Sequence, residues 1–283
     1  MKRDYSYFHA GIEQVPTTSS SLVSSSRFLN HAGLREWLQL HLLRRNGPDL
    51  PIPADPTLGL AQALTDMRTP DRMQTLIDAE KMRNPAFRAW VEEKYLSPLT
   101  KEDFSRFPKD SFGGKYYKYI SEYGIAVNFG WANTPPASDW EFIQKRNGQI
   151  HDFEHLMTGG QFNSLGEILP YMVRLSNPHT HLAPEVATEF SLIYIFGGSR
   201  LLFRSFLHYP DTWPIVMDMM ERGLKIGRTS DPIMMMRYED ALHLSIPEAR
   251  EMLGYRHAED VDTEDMDRIF TEQVKTPSVF DQE

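Results

Sequence analysis

Two histidines four residues apart, His151 and His155, lie in the segment HDFEH with Asp152 beside the first, and Glu167 follows beyond a Gly159-Gly160 break. On a helix turning about 100° per residue, His151, Asp152 and His155 fall within about 100° of one another. Imidazoles one turn apart can share one cation, as the HExxH helices of metalloproteases do. Glu167 comes after a short connection, near the start of the next helix, where a helix hairpin could return its carboxylate to the same ion. The competing reading is that both histidines are ordinary helix residues making hydrogen bonds. A second pair, His179 and His181, sits in NPHTHLAP ahead of Pro184 and reads as an incidental loop pair. The chain has no cysteine, which excludes disulfides, thiol catalysis, iron–sulfur ligation and thiolate-held zinc, so any metal is held by nitrogen and oxygen.

The elements that must position these groups read as helices. Ser138 with Glu141 three residues later is a capping-box signature opening a long helix over 138–158. Trp140, Ile143, Ile150, Phe153 and Met157 form its apolar arc, and Glu154 points away from His155 as a structural residue. Further helices start where proline falls in a first turn, after Asp55, Thr69, Asn84 and Ala183; the last runs over 183–209. Shorter ones follow at 212–223 and 247–253. Leu34, Trp37, Leu38 and Leu42 mark a basic amphipathic helix over 33–45, stopped by Asn46-Gly47-Pro48. It either docks on the core or lies on a membrane surface. Alternating apolar and polar runs are scarce and no hairpin turn separates strand-like runs. The pattern predicts an all-α, single-domain, irregular helical bundle over 29–257. Residues 1–28, with TTSSSLVSSS, read as a flexible leader and 258–283 as a loose acidic tail.

The 283 residues carry a net charge of -9, with 41% hydrophobic and 24% charged residues, as in an ordinary soluble globular protein. Nine acids against Arg268 and Lys275 put -7 in 258–283, which leaves -2 for the remainder. No basic field is available to hold a phosphate backbone, so nucleic acid is excluded as a partner. The N-terminus has no apolar run of a secretory signal. The apolar stretch 190–206 is interrupted by Gly197, Gly198, Arg200 and Arg204, too short and too charged to span a bilayer unaided.

HDFEHLMTGGQFNSLGE resembles the HDxxH-x11-E signature of the ubiquinone (coenzyme Q) biosynthesis Coq-four family, through Asn163, Leu165, Gly166 and Glu167. Phe112 to Tyr119, Tyr238-Glu239 and Arg250 to Gly254 are similar to flanking stretches of that family, so the resemblance covers roughly 55–257. It implies an all-helical protein with a metal, usually zinc, on His151, Asp152, His155 and Glu167, a site for polyprenyl lipids, and peripheral association with a membrane. The family's activity is removal of the ring carboxylate of a polyprenylated hydroxybenzoate with a hydroxyl taking its place; a scaffold role for the quinone-synthesis enzymes is the alternative.

Two nitrogens and two oxygens suit zinc, and also iron(II) or manganese(II). Such an ion would act as a Lewis acid on a hydroxybenzoate, with Asp152 and His155 as catalytic residues. Zinc cannot serve as the oxidant, so dioxygen reacts with the electron-rich ring directly or the metal is iron. A metal-dependent decarboxylase, or oxidative decarboxylase, is therefore the expected enzyme. The residues from Phe190 to Phe203, Gly197-Gly198, and the methionines from Met217 to Met236 are either an apolar slot for the lipid tail or simply core. Phe196 and Tyr116 are candidate substrate contacts. Arg200 and Arg204 either bind the substrate carboxylate or pair with Glu185 or Glu189. A third reading, a zinc hydrolase with Asp152 as a shortened base, requires a partner strand and an extended-peptide groove. The expected partners are a prenylated aromatic acid or quinone lipid, other quinone-biosynthesis proteins, a membrane surface and a second copy of the chain. The expected location is the cytoplasm or the inner face of a membrane.

Overall fold

A computed structural model describes residue 24 and residues 26–42, 56–122 and 134–271. The leader up to residue 23, the Asn46-Gly47-Pro48 stop and the end of the acidic tail lie outside them.

Thirteen α-helices carry the described chain. The first seven are α1 (Arg27–Asn30), α2 (Ala32–Leu42), α3 (Pro56–Met67), α4 (Pro70–Arg83), α5 (Pro85–Glu93), α6 (Lys101–Phe104) and α7 (Phe112–Glu122). Then come α8 (Asp139–Thr158), α9 (Ile168–His181), α10 (Pro184–His208), α11 (Trp213–Thr229), α12 (Ile246–Met252) and α13 (Glu264–Phe270). Among the described residues there is no strand, and the one β feature is an isolated bridge between Ser111 and Ser245. The all-α reading holds, and the partner strand that the hydrolase reading requires is not among these residues.

Local chemistry sets the boundaries. Proline occupies the first turn of α4, α5 and α10, where its missing N–H is not needed. The Asn84 side chain accepts from the Phe87 N–H and caps α5. Ser138 accepts from the Glu141 N–H to cap α8, but the Glu141 carboxylate takes the Ala137 N–H instead of closing a reciprocal box. Helix α11 runs on past Gly223 to Thr229, because Ile226 extends its apolar face into the core.

Helix α8 is the hinge of the packing. Its Phe153 meets Phe104, Phe112 and Tyr116 edge-on or tilted, with ring centroids 4.6–6.0 Å apart. Phe142 and Ile143, nearer its start, join a second core cluster with Phe87, Trp90 and Phe190. A third cluster joins α2 and α3 to α10 through Leu34, Trp37, Leu60, Leu64 and Leu192. The α10 residues expected to form one slot divide among these settings. Phe190, Leu192 and Leu201 are buried in core clusters, Phe196 packs on the third, and Ile195 and Phe203 are exposed. Helix α10 is long and apolar enough to cross a membrane, yet half of that span is buried in the fold.

The acidic segment differs from expectation. Residues 258–271 are ordered: Phe270 is buried in the main core, and the Asp267 carboxylate accepts the Leu165 N–H at 2.8 Å. A charge-rich composition hid a helix whose two buried contacts are made to distant chain.

Glu154 and Arg174 form an ion pair at 2.5 Å, both almost fully buried, and Arg174 also donates to the Tyr194 hydroxyl and the Asn147 carbonyl. Glu154 is structural, as its helical position predicts. Glu154→Ala leaves the guanidinium buried without its acid, and the expected cost is about 3–5 kcal/mol of stability. Urea unfolding measures it, and a loss below about 1 kcal/mol would contradict the pairing.

Candidate metal centre

The turn from α8 to α9 places the third ligand. Gly159 ends α8 in the left-handed region, at φ 88°, which favours a residue without a Cβ. The chain then doubles back so tightly that a Cβ on Gly166 would strike the Gln161 carbonyl. The Asn163 side chain accepts the Gly166 N–H at 2.8 Å, and Thr263 donates from its hydroxyl to both Gln161 and Asn163. The N-x-L-G-E stretch is thus the material of a closed loop. Glu167 leaves that loop facing the histidines.

His151 Nε2 lies 3.3 Å from Glu167 Oε2, and His155 Nε2 lies 3.3 Å from Glu167 Oε1. The ligand atoms of the three residues all fall within 4.8 Å of one another. Ligands held at 2.0–2.1 Å in a tetrahedron stand roughly 3.3 Å apart, so the two histidine–glutamate separations match a zinc-sized ion, and the set as a whole would have to tighten around it. His155 Nδ1 lies 3.1 Å from the Gln161 carbonyl; Nδ1–H donates there, which on the neutral ring leaves the Nε2 lone pair facing Glu167. Glu167 Oε2 is buried and makes no hydrogen bond. A carboxylate left so, with one oxygen toward each of two imidazole nitrogens, suits a cation.

His155 is 2% exposed, against 27% for His151 and 31% for Glu167, so the centre opens on the His151 side. The closed side is an aromatic wall. Phe162 stacks on His155 at 4.9 Å, and Tyr119 stacks on Phe162 in turn. On that side lies an open groove of about 860 Å³, lined by His155 itself with Lys115, Lys118, Tyr119, Phe162 and Asp262 among others. Its mixed lining is unlike a slot for a lipid tail.

The other predicted site residues divide. Asp152 is not among the three converging residues; its charge acts on His151 and on Tyr116. Tyr116 is 2% exposed, and burial, then Asp152 and Tyr119, push its hydroxyl pKa up, so it stays protonated. Arg204 donates to the Phe270 carbonyl at 2.6 and 3.1 Å and to the Tyr209 hydroxyl, which ties it to α13 rather than to a substrate. Neither arginine pairs with Glu189, which Arg27, Arg68 and Arg72 surround instead. Arg200 is half-buried and close enough to Glu167 and Tyr171 to feel their charges. His181 Nε2 is bonded to the Ser230 carbonyl at 2.9 Å, His179 is exposed, and both lie in the last turn of α9 rather than in a loop. Sequence reasoning missed His41, Tyr171, Phe162 and Gln161. Only Gln161, just beyond the glycine pair, had a local signal.

Without an ion the centre holds a proton. Burial pushes the His151 pKa down, but the Glu167 carboxylate overrides it and lifts the value to about 9. Burial raises the Glu167 pKa, and the two histidines bring it well below the usual carboxylate range. A metal must displace the His151 proton, so zinc affinity rises with pH toward 9 and binding near neutral pH releases about one proton per ion. A calorimetric titration in buffers of different ionisation enthalpy reads that proton; no release would contradict the assignment. His155→Ala and Glu167→Gln should lower zinc affinity by more than about 100-fold, and Asp152→Asn by less. Equal losses for all three would restore Asp152 to the ligand set.

A family model described as Coenzyme Q (ubiquinone) biosynthesis protein Coq4 matches residues 88–259, which include the whole centre. A crystal structure at 2.85 Å of a proposed ubiquinone biosynthesis protein from Nostoc punctiforme is similar in fold. Its TM-score is 0.56 at 19% identity, covering 80% of this chain and 97% of that one. No curated protein matches the sequence.

Proposed function

The chain belongs to the coenzyme Q (ubiquinone) biosynthesis protein Coq4 family and acts in ubiquinone biosynthesis; from this we propose that it is a metal-dependent oxidative decarboxylase of a prenylated hydroxybenzoate. The observation that carries the reading is the convergence of His151, His155 and Glu167, with a buried Glu167 oxygen that has no hydrogen bond. Zinc, iron(II) or manganese(II) fits the nitrogen and oxygen donors. When bound, the ion supplies Lewis acidity to a carboxylate and to developing phenolate charge.

The chain's own groups bind and hold protons around that centre. Glu167 and His151 form its more exposed rim, where a ring acid can approach. His155, fixed through Nδ1 by the Gln161 carbonyl and covered by Phe162, keeps Nε2 oriented and water away from the closed side. The Asp152 charge acts on His151 and on Tyr116, whose hydroxyl stays protonated. The overall change balances with dioxygen as oxidant: ring acid, dioxygen and water give the phenol, carbon dioxide and hydrogen peroxide. Exposed Ile195, Phe203, Phe206 and Leu207 on α10, with Met217 on α11, support peripheral contact with a lipid surface.

The test is turnover. Protein loaded with zinc or iron(II), given a short-prenyl hydroxybenzoic acid under air, should release carbon dioxide and form the hydroxylated ring, and under argon neither. No carbon dioxide release with any of these metals, while quinone synthesis in cells still requires the chain, would replace the enzyme with a scaffold.

A further inference from the structure

A second set of unpartnered polar groups adjoins the metal centre. Among the described residues Arg200 of α10 makes no hydrogen bond and no ion pair, although it is half-buried. Across from it on α2, His41 is 4% exposed and its Nδ1 is buried without a hydrogen-bond partner. Burial, and then the Arg200 charge, push the His41 pKa down to about 4, so the ring is a neutral donor beside a fixed cation. Trp37 packs on the His41 ring at 4.8 Å, and Leu34, Leu60 and Phe196 continue as an apolar wall. In the other direction Arg200 feels the charges of Tyr171 and Glu167. The Tyr171 ring lies 6.2 Å from that of His151 and is seated against Gly197, three residues before Arg200.

A guanidinium presents a planar fork of N–H donors, and leaving it desolvated without an acceptor is costly. The Glu167 charge acts on it, but that carboxylate is turned to the two imidazoles. With a divalent ion bound, the carboxylates of Glu167 and Asp152 offset the ion, and the Arg200 charge is left uncompensated. An anion on the ligand removes that excess.

We propose that Arg200 and His41 form an anion-binding niche beside the metal centre, which takes the carboxylate of the aromatic acid while the rest of the ligand lies against Trp37 and Phe196. The niche rests on the reading that the substrate is a ring acid, and it is separable from turnover. Arg200 is a binding residue here, Arg204 is not, and the two differ because Arg204 is 3% exposed and bonded to the Phe270 carbonyl of α13.

The experiment compares a short-prenyl hydroxybenzoic acid with the matching prenylphenol, which lacks the carboxylate, for binding to the full chain with zinc and after chelation. The unaltered protein should bind the acid at least about 10-fold more tightly than the phenol, the scale of a charge-assisted hydrogen bond. Arg200→Gln should bring the two within about 2-fold without changing the phenol's Kd or the zinc content. Arg200→Lys should recover part of the preference, which also shows that the site still folds. The preference should persist, reduced, in the chelated protein. Full preference in Arg200→Gln, or none in the unaltered protein, overturns the niche. Acid preference without carbon dioxide release would leave the niche standing and remove the decarboxylase, and turnover with no acid preference would do the reverse.

Discussion

Two imidazoles one helical turn apart become a cation site only when a third ligand is returned to them, and the return of Glu167 is the constraint on which the rest depends. The reversal needs Gly159 in a conformation that L side chains avoid, and Gly166 where no Cβ fits against the Gln161 carbonyl. Side-chain bonds from Asn163, Thr263 and Asp267 then hold the loop closed. Those last two residues lie in the acidic segment, so the ordered part of that segment is a brace for the metal loop. The Gln161 carbonyl does double duty, closing the loop and fixing the His155 tautomer.

Charge is arranged on two sides of α8. Behind it Glu154 and Arg174 neutralise one another in a nearly solvent-free setting. In front, Glu167 has no such partner except protonated histidine or a cation. The Glu167 carboxylate is why His151, on the more exposed rim, is lifted toward 9 although desolvation works to depress it, and a metal bound there would compete with that proton. The two arginines on α10 differ likewise: Arg204 is buried and bonded to the Phe270 carbonyl, and Arg200 is half-buried within reach of the Tyr171 and Glu167 charges.

Much of this was legible in the chain. The helix over 138–158, its Ser138 cap and its apolar arc follow from local rules, and so do the proline-led starts of α4, α5 and α10. The histidine pair was legible because helical spacing is itself a geometry, and Glu167 because the glycine break lets the next helix return beside it. What was not legible depends on long-range packing. Asp152 shares the wheel position of a ligand, yet it is not among the three residues that converge, and its charge acts on both His151 and Tyr116. Nothing local says that Arg27, Arg68 and Arg72 will take Glu189, or that α13 will dock between distant helices. Apolar residues along α10 gave no hint of being shared among three settings, since an all-round apolar helix has no single face.

The most direct measurement of the central claim is X-ray absorption at the metal edge on protein purified without chelator or added metal. The account predicts about one ion per chain with a nitrogen and oxygen shell near 2.0–2.2 Å, and the outer-shell scattering of two imidazoles. An ion without imidazole scattering, or none bound, would contradict it.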